Sequence, residues 1–492
     1  MAPPRLTASD REFFTALAEV AYANPFTPER ASLIVRLAPS AKYGDLTSDP
    51  EALLRIVEPR LAPWRKESRP LARLSGEERA LLEPAFLYVA FHYGRARFDA
   101  HIERQAQQSG APIPVPFAEE IIAHLVQSGF PEESAWRYVA LTFQLRRAFY
   151  FIYRSLTGES DSMRRLRGSL WNNIFTHDMR GFDAALWNRM EDFSTLLLGE
   201  TGTGKGQAAA AIGRSAFIPY IAESRRFAAN FTETFISINL SQFAEDLMES
   251  ELFGHRKGAF TGAIDHHQGV FERCSPHGAL FLDEIGEVAI PVQIKLLQVL
   301  QERTFTPIGG REKKRFSGRV IAATNRPLTD LRREGRFRED FFYRLCSDVI
   351  EVPTLRQRLA EAPGELEQLV RVLLERIAGE RAATLTEQVL EALKRDLPAD
   401  YAWPGNVREL EQAVRRILLT GSYRPGSGNV QSLDGEERLV AQLREGRLSA
   451  DELLSAYSAM LYERLGSYAA VAERTGLDPR TSRKYVLSAK SG

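Results

Sequence analysis

Cysteine is scarce, with only Cys274 and Cys346 in 492 residues. Two thiols cannot build a disulfide framework, and so low a number fits a reducing cytoplasm. Long apolar runs are missing as well. No stretch approaches the ~20 residues needed to span a bilayer, and the opening MAPPRLTASD has no apolar core of the signal-peptide kind. A cytoplasmic protein with no membrane partner is the expectation. Nor does either sign of charge prevail: 64 Lys+Arg balance 64 Asp+Glu. That excludes a wholly basic nucleic-acid coat protein or an acidic tail, but leaves room for a local basic patch. Internal repeats and low-complexity tracts are absent, and no hydrolase triad or zinc-type spacing appears around His266, His267 and Cys274.

What is present is ordinary globular material. Hydrophobic residues make up 44% and charged residues 26%, enough for real cores in about three domains. Residues 1–160 read as helical. Leu81, Leu82, Ala85, Phe86, Val89 and Ala90 follow helical spacing within residues 77–105, where Pro84 starts or kinks a helix. Further helices are expected over 117–127 and from Pro131 through Tyr150, with a proline-punctuated connector at 109–116. From about Ser194 short apolar runs alternate with helical patterns, which implies an α/β domain with a largely parallel sheet. After Pro353 the strands stop, and helices over 366–379, 386–395 and 407–420 suggest a lid. Residues 422–429 are a Gly/Pro/Ser-rich linker.

Gly199, Glu200, Thr201, Gly202, Thr203, Gly204 and Lys205 follow an apolar strand and precede a helix. Such a loop turns backbone N–H groups onto phosphate oxygens, with Lys205 reaching the β- and γ-phosphates of ATP. The Ser or Thr that usually follows and binds Mg²⁺ is replaced by Gly206. A dinucleotide-binding reading of Gly202, Gly204 and Gly206 fails on spacing. Asp283 and Glu284 end a buried-type strand, at the edge where ligands bind in parallel sheets. Asp283 can hold Mg²⁺, directly or through water, and Glu284 can take the proton of an attacking water. Alone, that pair would more often be a solvated strand end; downstream of a phosphate loop it is not. Gly258, Ala259, Phe260, Thr261, Gly262 and Ala263 make a poor strand and a poor helix. They read as a loop with an aromatic tip suited to contacting another protein.

That GAFTGA hexapeptide, preceded by Glu251-Leu252-Phe253-Gly254-His255, resembles the AAA+ transcriptional activators of sigma-54 RNA polymerase, over residues 190–420 and again at the C-terminus. The resemblance implies that the hexapeptide engages sigma-54, with Phe260 and Thr261 at the contact. It implies further roles by position. Asn239 resembles the residue that switches the catalytic Glu. Thr324 and Asn325 resemble sensor I. Arg338 and Arg344, within Gly335 to Leu345, resemble arginine fingers acting in the neighbouring subunit of a hexameric ring, where a permanently charged guanidinium suits transition-state oxygens. Arg408, within WPGNVREL, resembles sensor II. Three departures stand out: Gly206 where the family often has Glu, an apparent insertion within 207–239, and a segment over 171–190 that does not align with the usual approach to the core.

At the C-terminus, 467–475 is a short helix pattern, Gly476-Leu477 a turn, and Asp478-Pro479 the start of a second helix. This helix-turn-helix resembles the Fis-type domain of these activators. Arg480, Thr481, Arg483, Lys484 and Tyr485 lie where bases and phosphates of upstream double-stranded DNA would be met. Between Arg464 and Lys490 six basic residues face two acidic ones. A helical pair used only for dimerisation is the plainer alternative.

The expected architecture is therefore α/β: an AAA+ P-loop core (161–355) with a helical lid (356–430), a helical regulatory domain before it (1–160) and a helix-turn-helix unit after it (431–492). The expected activity is ATP hydrolysis that remodels the sigma-54 RNA polymerase closed complex into an open one. An AAA+ remodeller of another protein, and a DNA-binding repressor with a vestigial core, are the alternatives. The N-terminal segment lacks the alternating texture and acidic strand-end cluster of a phosphoacceptor receiver. It is expected instead to sense a ligand or protein and to restrain ring assembly or turnover.

Overall fold

The computed structural model describes residues 5–39, 50–67, 69–425 and 449–489. Half of the linker expected at 422–429, residues 426–429, lies outside those residues. Two compact units emerge, residues 1–391 with 400–419, and residues 392–399 with 420 onward.

The first unit begins with seven helices: α1 (Ala8–Tyr22), α2 (Pro28–Leu37), α3 (Pro50–Arg65), α4 (Gly76–Ala106), α5 (Ala118–Ser128), α6 (Glu132–Ser155) and α7 (Asp161–Phe175). Their ends follow local chemistry. Thr7 and Asp10 form a capping box on α1, Ser160 caps α7, and left-handed Gly129 closes α5. Pro84 does not start a new helix: α4 runs on for 31 residues with Pro84 buried inside it. Burial of the ring against neighbouring helices outweighs the one backbone bond that proline forfeits.

Among the described residues nine strands follow: β1 (Thr195–Leu198), β2 (Tyr220–Ile221), β3 (Arg226–Phe227), β4 (Phe235–Asn239), β5 (Ala279–Asp283), β6 (Thr304–Phe305), β7 (Lys314–Arg315), β8 (Arg319–Thr324) and β9 (Asp348–Glu351). Five make a parallel sheet in the order β4-β5-β8-β1-β9. β8, buried at every residue, carries the run Val-Ile-Ala-Ala expected of a strand covered on both faces. Register aligns Leu198 with Thr324 and Asn239 with Asp283, so the carboxyl ends of four strands open onto one crevice.

The expected insertion is a structural device. β2 and β3 form a small antiparallel hairpin, and it packs on the N-terminal helices. Phe143 of α6 stacks on Phe227 at 3.8 Å, and Phe151 meets Phe231 edge-on. Around the connector, Val115 N–H donates to Arg225 O at 2.8 Å, and the Asn230 amide donates to the carbonyls of Gln108 and Gly110. Below the hairpin, Arg147 is wholly buried. Its guanidinium donates to Arg214 O and Ala216 O, both at 2.7 Å, while Gln144 donates to Ser215 O. These carbonyls close the C-terminal end of the helix Lys205–Gly213, where a cation also complements the helix dipole. One apolar cluster thus runs from Phe14 and Leu17 through Phe143 to Leu197 and Ile321 of the sheet.

The N-terminal domain grips the lid too. Arg358 and Glu365 form a buried ion pair at 2.7 Å. Glu365 accepts from the N–H groups of Glu159 and Ser160, Glu361 accepts from Ser162 N–H at 2.6 Å, and Arg358 donates to Thr157 O. Gly158 adopts φ +138°, and a Cβ there would sit 2.2 Å from the Glu365 carboxylate, so only glycine fits the turn.

The lid helices Glu365–Ala378, Ala382–Asp396 and Asn406–Thr420 appear close to where the sequence puts them, and a further short helix, Leu355–Glu361, precedes them. In the second unit, Ala450–Leu465, Tyr468–Thr475 and Pro479–Ala489 are helices around Leu461, Val471 and Val486. Gly476 takes the left-handed turn between the last two, and Asp478 caps the final helix by accepting from the N–H groups of Arg480 and Thr481.

Candidate functional site

The phosphate loop leaves β1 and enters the helix Lys205–Gly213 with Gly202 at φ +80° and Gly204 at φ +105°. Glycine is required at 202 on two counts, the positive φ and a Cβ that would come within 2.2 Å of Gly405 O. Lys205 is almost buried. Its ammonium donates to Gly199 O at 2.8 Å and Glu200 O at 3.0 Å. Burial pulls its pKa down, against the opposing pull of Glu284 and Asp283. Thr203 Oγ1 donates to Glu200 O and tightens the turn. Gly206 is not forced by space: a Cβ there would meet its nearest neighbour, the Phe281 ring, at an ordinary 3.9 Å.

Asp283 and Glu284 stand at the end of β5, facing this loop. Burial raises the Asp283 pKa, and Lys205 opposes the rise. Glu284 sits at φ +57°, an unusual backbone for a non-glycine residue, and this turns its carboxyl out of the strand line. Its Oε2 accepts from Asn325 N–H at 3.4 Å, and the Asn325 amide donates to Thr201 Oγ1 at 2.8 Å. Loop, carboxylate and the end of β8 are thereby joined. Thr324 is buried, and its hydroxyl accepts from Arg326 N–H. Asn239 lies beside Asp283 in register, but its carbonyl oxygen is taken by Ser241, through N–H at 3.0 Å and Oγ at 2.7 Å. Among the described residues it makes no hydrogen bond to Glu284.

The lid completes the crevice. Arg408 N–H approaches Gly202 O at 3.4 Å, and the field of the Arg408 guanidinium lowers the pKa of both Lys205 and Asp283. Two contacts were not anticipated from the sequence. Asn406, fully buried at φ +53°, donates to Glu200 Oε2 and Thr201 O, both at 3.1 Å, and accepts from Leu355 N–H at 2.8 Å. Arg356 forms a two-pronged pair with Glu200. An Asn between Gly405 and a helix was a signal for a left-handed position; nothing marked Arg356.

The remaining expected residues lie elsewhere. Arg338 is half-exposed and forks onto Asp340 at 3.0 and 2.7 Å. Arg344 donates to Leu300 O at 3.0 and 2.8 Å. Neither bonds to the phosphate loop of its own chain. Residues 258–263 form a tight loop, closed by Gly258 N–H to Ala263 O at 2.8 Å, with Gly258 and Gly262 at positive φ. Phe260 does not stand free at its tip: the ring leans edge-on against His255 at 4.9 Å and is 38% exposed, while Thr261 is exposed. The β6–β7 turn braces this loop through Arg256 N–H to Ile308 O and Ile308 N–H to Gly254 O. On the last helix Arg480, Arg483 and Lys484 are exposed, Thr481 bonds to Asp478, and the half-buried Tyr485 hydroxyl donates to Asp451 at 2.9 Å.

Comparison with known proteins agrees with this architecture. Residues 182–351 match the family described as Sigma-54 interaction domain, and 360–425 match the AAA+ ATPase lid domain. The Nif-specific regulatory protein of Azotobacter vinelandii is 38% identical over 346 residues, covering 66% of this chain and 61% of its own. The DNA-binding transcriptional regulator NtrC of Azospirillum brasilense is 41% identical over 46% of this chain and 43% of its own. The match therefore takes in less than two thirds of either relative. The Sigma54-dependent transcriptional activator SfnR of Pseudomonas putida is 37% identical, over 56% of this chain and 70% of its own. With that coverage, and with the parallel core, lid and GAFTGA loop in place, the chain belongs to the sigma-54-dependent transcriptional activators.

Proposed function

We propose that the chain is an ATPase that binds DNA upstream of promoters and uses hydrolysis to convert the closed complex of sigma-54 RNA polymerase into an open one. The observation that carries this reading is the convergence of Lys205, Asp283, Glu284, Asn325 and Arg408 on one loop, with residues 258–263 outside it. In this reading residues 199–206 wrap the phosphates of ATP, and Lys205 exchanges its two carbonyl partners for phosphate oxygens. Glu284 takes the proton of the attacking water, and Asn325 holds that carboxylate against Thr201. Arg408 and Arg356 tie lid position to loop occupancy. Asn239 reaches Glu284 only after releasing Ser241, so it serves as a switch between two partners. Arg338 and Arg344 act on a neighbouring subunit of a ring, after leaving Asp340 and Leu300 O.

The residues fit Mg²⁺. Asp283 supplies one half-buried carboxylate beside Lys205, and the left-handed glycines leave room for a nucleotide's own oxygens to provide the remaining ligands. Bound there, the ion would offset phosphate charge. Gly206 contributes no ligand. Residues 258–263 contact sigma-54 through Thr261 and Phe260, and Arg480, Thr481, Arg483, Lys484 and Tyr485 form the DNA-facing set.

The deciding experiment is capture of sigma-54 by the full chain with an ATP transition-state analogue. Retention that depends on the analogue, and is lost in Thr261→Ala while ATP turnover persists, is expected. Turnover without analogue-dependent retention would shift the reading to a remodeller of another protein, and no turnover at all to a DNA-binding repressor.

A further inference from the structure

The N-terminal helices line a cavity of about 180 Å³, bordered by all seven of α1–α7 and by the turn at 179–183. Rings supply much of its wall: Tyr22, Tyr88, Phe91, Tyr138, Phe149 and Trp171. A void left by imperfect packing would be lined by apolar groups and stay dry. This one is lined by an imidazole and three guanidiniums, Arg30, Arg95 and Arg146.

The charges there do not balance in pairs. Arg146 is forked onto Asp99 at 2.7 and 2.8 Å. The lining carboxylate Asp183 is held by Arg137. Arg95 has no hydrogen bond or ion pair among the described residues; burial, then Arg146 and Arg30, lower its pKa, against the opposing pull of Asp99, whose carboxylate is already forked by Arg146. On the same helix, one turn back, both ring nitrogens of His92 are buried with no partner. Burial and the three arginines push the His92 pKa down to about 3, so the ring is neutral and offers one donor and one acceptor. A buried polar ring with neither valence met is costly unless something meets it.

From the cavity, its ring-rich wall, the unmatched Arg95 and the unpartnered His92, we infer that this site binds a small organic carboxylate with a flat apolar body. A cavity of roughly 150 Å³ lined by apolar residues holds a benzene ring, so 180 Å³ accommodates a ring carrying one carboxylate. Arg95 pairs with the carboxylate and His92 donates to it. The aromatic walls cover the ring, which prefers offset or edge-on neighbours. The site also touches the ATPase. Met179 and Asp183 of its wall flank residue 182, where the match to the sigma-54 interaction domain begins, and Arg180 lies over the Tyr22 ring at 5.2 Å. Occupancy therefore fixes α1, α4 and α6 against the segment leading into β1.

Calorimetric titration of the full chain with sodium benzoate tests this, with benzyl alcohol as the uncharged probe of like size. The expected result is saturable one-to-one benzoate binding, with benzyl alcohol about tenfold weaker or more. Arg95→Gln should lose about tenfold or more in benzoate affinity, the worth of one charge-assisted hydrogen bond. Thr142→Phe, which fills the cavity, should abolish binding. Arg95 is half-exposed, so its replacement leaves the fold intact even if Thr142→Phe does not, and circular dichroism checks both. Absence of saturable benzoate binding to the wild-type chain would overturn the inference. So would equal affinity for benzyl alcohol, or unchanged benzoate affinity in folded Arg95→Gln. Binding is read without nucleotide, so its outcome is separate from that of the ATPase proposal.

Discussion

Arg147→Met tests how firmly the N-terminal helices hold the ATPase core. The wild-type guanidinium donates to two carbonyls, Arg214 O and Ala216 O, from a fully buried position. Methionine keeps much of the side-chain volume and removes both donors. Each buried acceptor left unsatisfied costs about 1–3 kcal/mol. Against this, the variant escapes the burial of a cation, a burial severe enough to push the Arg147 pKa down to about 9. Those opposing effects leave an expected net loss of about 2 kcal/mol, or roughly 30-fold in the folded-to-unfolded ratio. Arg147→Lys, with one point charge in place of a planar fork, should fall between the two. Urea unfolding followed by tryptophan fluorescence reads the effect, since Trp187 packs on Phe217 close to these carbonyls. Nucleotide affinity should fall in parallel, because the far end of the same helix begins at Lys205. A Met variant as stable as wild type, with unchanged nucleotide affinity, would refute the claim that this contact organises the phosphate-loop helix.

Other expectations concern the crevice and the DNA-facing helix. Lys205→Ala should abolish ATP binding, whereas Glu284→Gln should bind ATP and turn over at least about 100-fold more slowly, as loss of a general base predicts; normal turnover in Glu284→Gln, measured by phosphate release, would place the base elsewhere. Asn406→Gly keeps the left-handed backbone but deletes the bonds to Glu200, Thr201 and Leu355, so nucleotide affinity should drop about tenfold. Equal titration curves for Asn406→Gly and wild type would remove the lid tether from the argument. Arg483→Ala should weaken DNA binding and flatten its dependence on salt by about one counterion, with ATPase unchanged; a salt series identical to wild type would exclude that residue from the contact.

How much of this was legible in sequence depended on how local the cause was. The strand Thr195–Leu198, the phosphate loop and Asp283-Glu284 declare themselves within a few residues, because a short strand, glycine torsions and a strand-end carboxylate are local features. The lid helices and the helix-turn-helix were readable for the same reason. As a helix start Pro84 misled in the other direction, since the local cost of proline inside a helix was overridden by long-range burial. Residues 207–239 could be read as too long, but not as a hairpin built to meet Phe143 and Phe151. Phe260 was readable as part of an exposed loop, yet its support from His255 was not. Asn406 and Arg356 act on Glu200 from 206 and 156 residues away, and the cavity draws on seven helices and a turn. No pattern along the chain records such meetings.

The hairpin at Tyr220–Phe227 bears on how this protein can change over generations. Its Phe227 face, and Phe231 just beyond, would lie bare without α6, while Arg147 would be a stranded cation without the carbonyls at 214 and 216. Helical domain and hairpin therefore depend on each other for the burial of these rings. A recombination event that swapped the first 175 residues for another sensor would leave Phe227 and Phe231 without their partners Phe143 and Phe151, an oily surface on the ATPase unless the loop after the phosphate-binding helix changed with it. Among sequences that share the core, the presence of this insertion should mark the presence of this kind of helical domain.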